Sequence, residues 1–181
     1  MSPHVKILKL SNYEITENRC CLELTRAINP IDHNLRYTIH PMFGMTENNT
    51  MHKSRGLFIG IKELIDKRIF DTNDTIKSYM EELGHVMAKL HYEVKNDGFD
   101  IELFLSKNGD DDVIVYIGDF DLSETITEYD KYFIDRMVWC FLAVPYFPTE
   151  GELFDVFSSA YISEAKQYDS EHIAQTVISS L

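Results

Sequence analysis

At 181 residues, 44% hydrophobic and 12% aromatic, the chain has the length and apolar content of one folded domain, which argues against an intrinsically disordered protein. Its formal net charge of −13 is unevenly placed: residues 1–70 hold ten Lys/Arg against seven Asp/Glu, the remainder seven against twenty-three. So acidic a chain is poorly suited to nucleic-acid backbones or to a basic membrane-surface helix, and a basic protein surface or bound cations are the compatible partners, beside a plainly solvated surface.

In chain order, His4 to Leu10 (HVKILKL) alternates with period two and reads as a strand, as does Arg19 to Ala27 (RCCLELTRA). Pro30 and Asp32-His33-Asn34 break the pattern, and a third short strand is expected over Leu35 to His40. Pro41 to Arg55 has no period and many turn formers, so it reads as a mobile loop. Helices follow. Leu57 to Arg68 carries Leu57, Ile61, Leu64 and Ile65 at helical spacing. The next helix has Asn73 or Asp74 as its cap and a single apolar stripe of Ile76, Met80, Leu83, Met87 and Leu90.

Ile101–Leu105 and Val113–Ile117 flank the polar turn 107–112 and read as a hairpin. From Asp130 the helical pattern returns, with Phe133, Met137, Cys140 and Phe141 on one face, and it breaks at Pro145-Tyr146-Phe147-Pro148. Thr149 and Glu152 form a capping box for the following helix, and Ser170 caps a short last one to Ser180. The expected class is α+β in one domain, 1–181: a strand-rich part to residue 55, then a mainly helical part, 56–181, with an inserted hairpin.

No apolar run approaches the roughly eighteen residues of a membrane span, and the first six residues lack the apolar core of a signal peptide. Cys20, Cys21 and Cys140 agree with a reducing compartment, because neighbouring cysteines rarely bridge each other and an odd count leaves one over. The expectation is an intracellular protein, cytoplasmic or nuclear.

The chemistry-bearing pattern is Asp97, then Glu102 five residues on, then Asp119-Phe120 after the strand VIVYI. A phosphotransferase of the protein-kinase kind needs a base near the accepting hydroxyl and a metal ligand five residues later. It also needs a second metal-binding Asp at the end of the partner strand, because a hairpin brings both ligands to one mouth where Mg²⁺ bridges phosphates. On that reading Asp97 is the base, Glu102 and Asp119 hold Mg²⁺, and ATP is the second cofactor. Much is missing: Arg and His do not precede Asp97, Glu102 stands where Asn is usual, and Asp121 replaces Gly. No Gly-rich loop or lysine in a Val-Ala-Ile-Lys setting is present, so the helical lobe of kinase-like and aminoglycoside-phosphotransferase-like folds is resembled only distantly.

The segments VMAKLHYEVKNDGFDIELFL, VIVYIGDFDLS and AVPYFPTEGELFDVFSSAY match another pattern in order and spacing, from about residue 56 to residue 165. They resemble a fungal family of uncharacterised proteins, some labelled zinc-finger proteins, whose pattern runs ALAxLHWxxxxDAxDVEFVL, LWLLDFxxC, NDPYYPRP. Glu in place of Asn is shared with that family; Tyr92, Val144 and Thr149 depart from it. The resemblance implies a frame and no reaction. Zinc gains nothing from it, since no CxxC or HxxxH spacing occurs.

Two readings of different classes follow. The first is a non-catalytic protein-interaction module on a degenerate kinase-like fold, without cofactor, with Trp139, Tyr146 and Phe147 as candidate aromatic anchors for another protein, core packing being the more common role of such residues. The second is the Mg²⁺-dependent phosphotransferase; a cation or small-ligand pocket at the same mouth is a weaker third. His91, at the end of an apolar stripe, is expected to be a hydrogen-bonded structural histidine, and Asp110-Asp111-Asp112 a solvated turn lacking the ligand spacing of a Ca²⁺ loop.

Overall fold

A computed structural model describes residues 5–7, 13–16, 19–22, 38–45, 50–53, 56–107 and 113–181 of the chain. It is α+β. The strands are β1 (Val5–Ile7), β2 (Tyr13–Thr16), β3 (Arg19–Leu22), β4 (Thr38–Met42), β5 (Thr50–Lys53), β6 (Gly56–Gly60), β7 (Glu102–Lys107) and β8 (Val113–Gly118). Six of them form a mixed sheet in the order β1-β8-β7-β4-β6-β5, and β2 and β3 pair antiparallel on their own. The helices are α1 (Ile61–Asp66), α2 (Asn73–Ala88), α3 (Lys131–Leu142), α4 (Gly151–Ala165) and α5 (Glu171–Ile178). None among the described residues is long and apolar enough to cross a membrane.

α2 is the hub, and its stripe explains why. Ile76, Met80, Leu83 and Met87 are fully buried. On the sheet side α2 touches β1, and the Tyr79 hydroxyl donates to the Val113 carbonyl of β8. On the other side it packs along α4, where Gly84 permits the approach: a Cβ there would stand 2.5 Å from the Phe157 carbonyl oxygen and 2.9 Å from the Ala160 Cβ. The cap is Thr72, which accepts from the Thr75 N–H at 3.2 Å, one residue before the expected Asn73. The helix then widens into a π turn over Lys89–Glu93.

The β7–β8 hairpin is as expected, with Glu102 opposite Gly118 and Lys107 opposite Val113; its tip and the Asp110-Asp111-Asp112 run lie outside the described residues. Leu57–Arg68 is corrected. Gly56–Gly60 is a strand parallel to β4, and only Ile61–Asp66 is helix. The supposed loop from Pro41 contains the end of β4 and all of β5. The Thr149 capping box does not form: Gly151 takes a left-handed φ of +77, the helix begins there, and Glu150 occupies the cap position without a side-chain bond. Ser170 does precede α5, but its hydroxyl donates back to the Tyr168 carbonyl.

Candidate functional site

The loop joining the π turn to β7 carries Lys95 and Asp100, each at φ +62, with Gly98 at the same angle between them. Side-chain-bearing residues take this region reluctantly, so such a loop needs outside support. The support is the segment that follows Asp119. Ile126 N–H donates to the Lys95 carbonyl, Asp97 N–H donates to the Glu124 carbonyl at 3.0 Å, and Asn96 Nδ2 reaches Ser123 Oγ at 3.0 Å. The chain after Asp119 thus folds back over the loop.

Asp97 sits beneath that cover, 0% exposed. Its Oδ1 accepts from the Phe99 N–H at 3.0 Å and the Glu124 N–H at 2.9 Å, while Oδ2 accepts from Arg136 Nε. Arg136 is engaged throughout. Nη2 donates to the Leu122 carbonyl at 2.7 Å, Nη1 lies 3.4 Å from Glu124, and the guanidinium stacks 4.3 Å above the Phe99 ring. A buried carboxylate needs paired donors on both oxygens, and this one has them. Three donors and complete burial leave the carboxylate closed to solvent. Sequence reasoning missed Arg136, yet a signal existed: it is the sole arginine after Arg68, set among apolar residues of a helix.

Glu102 and Asp119 lie at the hairpin mouth. Glu102 opposes Gly118 across the strands, and Asp119 follows at φ +62, exposed. Partial loss of surrounding water and then the nearby Asp121 and Asp100 carboxylates hold the Asp119 carboxyl above the usual range. The floor is aromatic. Strand register sets Phe58, His40, Phe104 and Tyr116 in one row across four strands, and the His40 ring stacks on Phe58 at 4.5 Å. His40 Nε2 meets Thr38 Oγ1 at 2.8 Å and Nδ1 meets the Tyr146 hydroxyl at 3.1 Å. Glu102 lies 4.0 Å from Nδ1, but burial lowers the His40 pKa to about 4, so at neutral pH this approach is not an ion pair. Burial, and then Glu102, Asp100 and Asp119, push the Tyr146 hydroxyl up. Among the described residues no three His, Cys, Asp or Glu side chains converge as a metal ion requires. The trio is therefore split: Asp97 is sealed in, while Glu102 and Asp119 share a crowded acidic mouth.

His91 is wholly buried, its Nδ1 bonded to the Tyr161 hydroxyl at 2.6 Å and Tyr161 in turn to Tyr92 at 2.8 Å. Nε2 closes no hydrogen bond of normal geometry, although the Asp97 backbone and carboxylate act on the ring electrostatically. Burial outweighs them and lowers the His91 pKa to about 3, so the ring is neutral.

Of the three candidate aromatic anchors, two belong to the core and are corrected as anchors. Tyr146 and Phe147 are each 1% exposed, because Gly44 N–H ties the Pro145 carbonyl to the end of β4 and Phe147 packs edge-on to Phe141 at 4.9 Å. Trp139 is 56% exposed on the outer side of α3. Comparison of the chain with protein-family models, with curated proteins and with solved structures returned no match.

Proposed function

We propose that the chain is a non-catalytic protein-interaction module built on a degenerate kinase-like frame. The observation that supports this most is the state of Asp97: buried, bonded to two backbone amides and an arginine, and roofed by the segment after Asp119. Phosphoryl transfer is mostly positioning and charge neutralisation, and it needs an accepting base open to substrate. Here the residue at that position holds a loop together. The likeness of VMAKLHYEVKNDGFDIELFL and VIVYIGDFDLS to the fungal family fits the same reading, since that pattern also carries Glu where a kinase has Asn. The partner is another protein, reached inside the cell.

The competing reading, a Mg²⁺-dependent phosphotransferase, draws on Glu102 and Asp119 standing at one mouth. Thermal unfolding with and without millimolar Mg²⁺–ATP separates the two. A ligand at a hundred times its dissociation constant adds about 2.7 kcal/mol, several degrees for a chain of this size. The module reading expects no shift in the wild type or in Asp119→Asn. A wild-type shift that Asp119→Asn abolishes would overturn it.

A further inference from the structure

α3 is apolar on two sides. Its inner side carries Phe133, Met137, Cys140 and Phe141, all buried. The outer side runs Tyr132, Asp135, Trp139 and Leu142, at i, i+3, i+7 and i+10, and the three large groups are 51%, 56% and 42% exposed. Leu122, 53% exposed, is held near this face by its carbonyl's bond to Arg136, whose guanidinium lies 5.6 Å from the centre of the Tyr132 ring. A surface helix needs one apolar stripe, facing its core. A second one, with Trp and Tyr in it, is the composition of an interface anchor.

The charge around the stripe indicates what covers it. Near the stripe stand four acids, Glu124, which accepts from the Tyr132 hydroxyl at 3.0 Å, Asp135 within the stripe, and Glu128 and Asp130 just before the helix, against two cations, Lys131 and Arg136. Both cations are engaged within the chain, Lys131 with Asp135 and Arg136 with Asp97 and Glu124. A second copy would bring this acidic rim against itself, on a chain already at −13. A partner with lysines and arginines beside its apolar residues meets the opposite charge.

We propose that the outer face of α3, Tyr132–Trp139–Leu142 with Leu122, docks an amphipathic helical segment of another protein whose basic flanks lie against the acidic rim. The inference rests on the interaction-module reading and gives it a surface and a partner chemistry.

Trp139 is the only tryptophan in the chain, so its fluorescence reports on this face directly. The probe is a displayed library of random helical peptides of about sixteen residues, a length of roughly 24 Å, selected on the full chain. The winners are then titrated in solution. The expected winners carry apolar residues at helical spacing between Lys/Arg, shift Trp139 emission to the blue and weaken with salt. They bind Leu142→Asp at least about tenfold more weakly. Leu142 is exposed, so circular dichroism and melting of that variant should match the wild type. Enrichment of no peptide, winners with acidic flanks, or winners indifferent to Leu142→Asp would each overturn the proposal. So would a concentration-dependent blue shift with a dimer mass and no peptide, which would make a second copy the occupant. Failure here without any nucleotide effect removes this surface alone. A Mg²⁺–ATP shift lost in Asp119→Asn removes the module reading itself.

Discussion

Asp97 and Asp119 are the same side chain at two ends of one hairpin, and their surroundings give them opposite fates. Asp97 is buried, with donors on both oxygens from Phe99, Glu124 and Arg136. Asp119 is exposed, in left-handed backbone, and its nearest charged influences are the like charges of Asp121 and Asp100. A carboxylate inside a protein is set by the donors the backbone can bring to it, not by its place in a motif. One of the pair is held by the fold; the other strains against it.

The largest way to break this contrast is Asp97→Ala. It leaves Arg136 Nε and two amides without their acceptor, so a loss of about 3–5 kcal/mol is expected from urea unfolding. A loss under about 1 kcal/mol, the range of an exposed pair, would mean the carboxylate is not the loop's support.

The next effect is acid sensitivity of the buried side. His40 and His91 are neutral when folded, with pKa values lowered to about 4 and about 3 from 6.5. Their contribution is whole above pH 6.5 and falls as pH drops toward those values, because the unfolded chain takes up the protons first. Near pH 5 unfolding should absorb about two protons, a loss of roughly 2.7 kcal/mol per pH unit. Imidazole NMR signals of both rings should stay flat from pH 7 to 5; a midpoint near 6.5 for His91 would contradict its burial.

Gly98→Ala comes third. The new Cβ must adopt φ +62 and stand 3.1 Å from Cys140 Sγ and 3.3 Å from His91 Nε2, so about 1–2 kcal/mol should be lost. An unchanged melting temperature would show that the loop relaxes freely. The smallest effect has the opposite sign. Asp119→Asn removes repulsion at an exposed site, so stability should rise by no more than about 1 kcal/mol at low salt, and the gain should shrink in about 0.5 M salt. A loss instead would mean Asp119 serves an attractive contact.

Local rules made much of this legible. The stripe of α2, the β7–β8 hairpin and the return of helix after Asp130, whose side chain accepts from the Phe133 N–H at 3.0 Å, all depend on neighbours a few residues away. Leu57–Arg68 misled because Leu57 and Ile61 fit two patterns, period two with Ile59 and helical spacing with Leu64 and Ile65; the glycines at 56 and 60 marked the strand's two ends. Tyr146 and Phe147 between two prolines suited an anchor or a core role, and the choice depends on contacts such as the bond from Gly44, a hundred residues away. The staple on Asp97 was the least legible feature, since its donors come from residues 99, 124 and 136 and only folding brings them together.

The central claim is that Asp97 is architecture. It is tested most directly by a double-mutant cycle on stability, with Asp97→Ala, Arg136→Ala and the pair. A coupling of about 1.5–3 kcal/mol between the two residues is the predicted result. A coupling below about 0.5 kcal/mol, as for independent sites, would contradict the account and return Asp97 to the list of groups free to do chemistry.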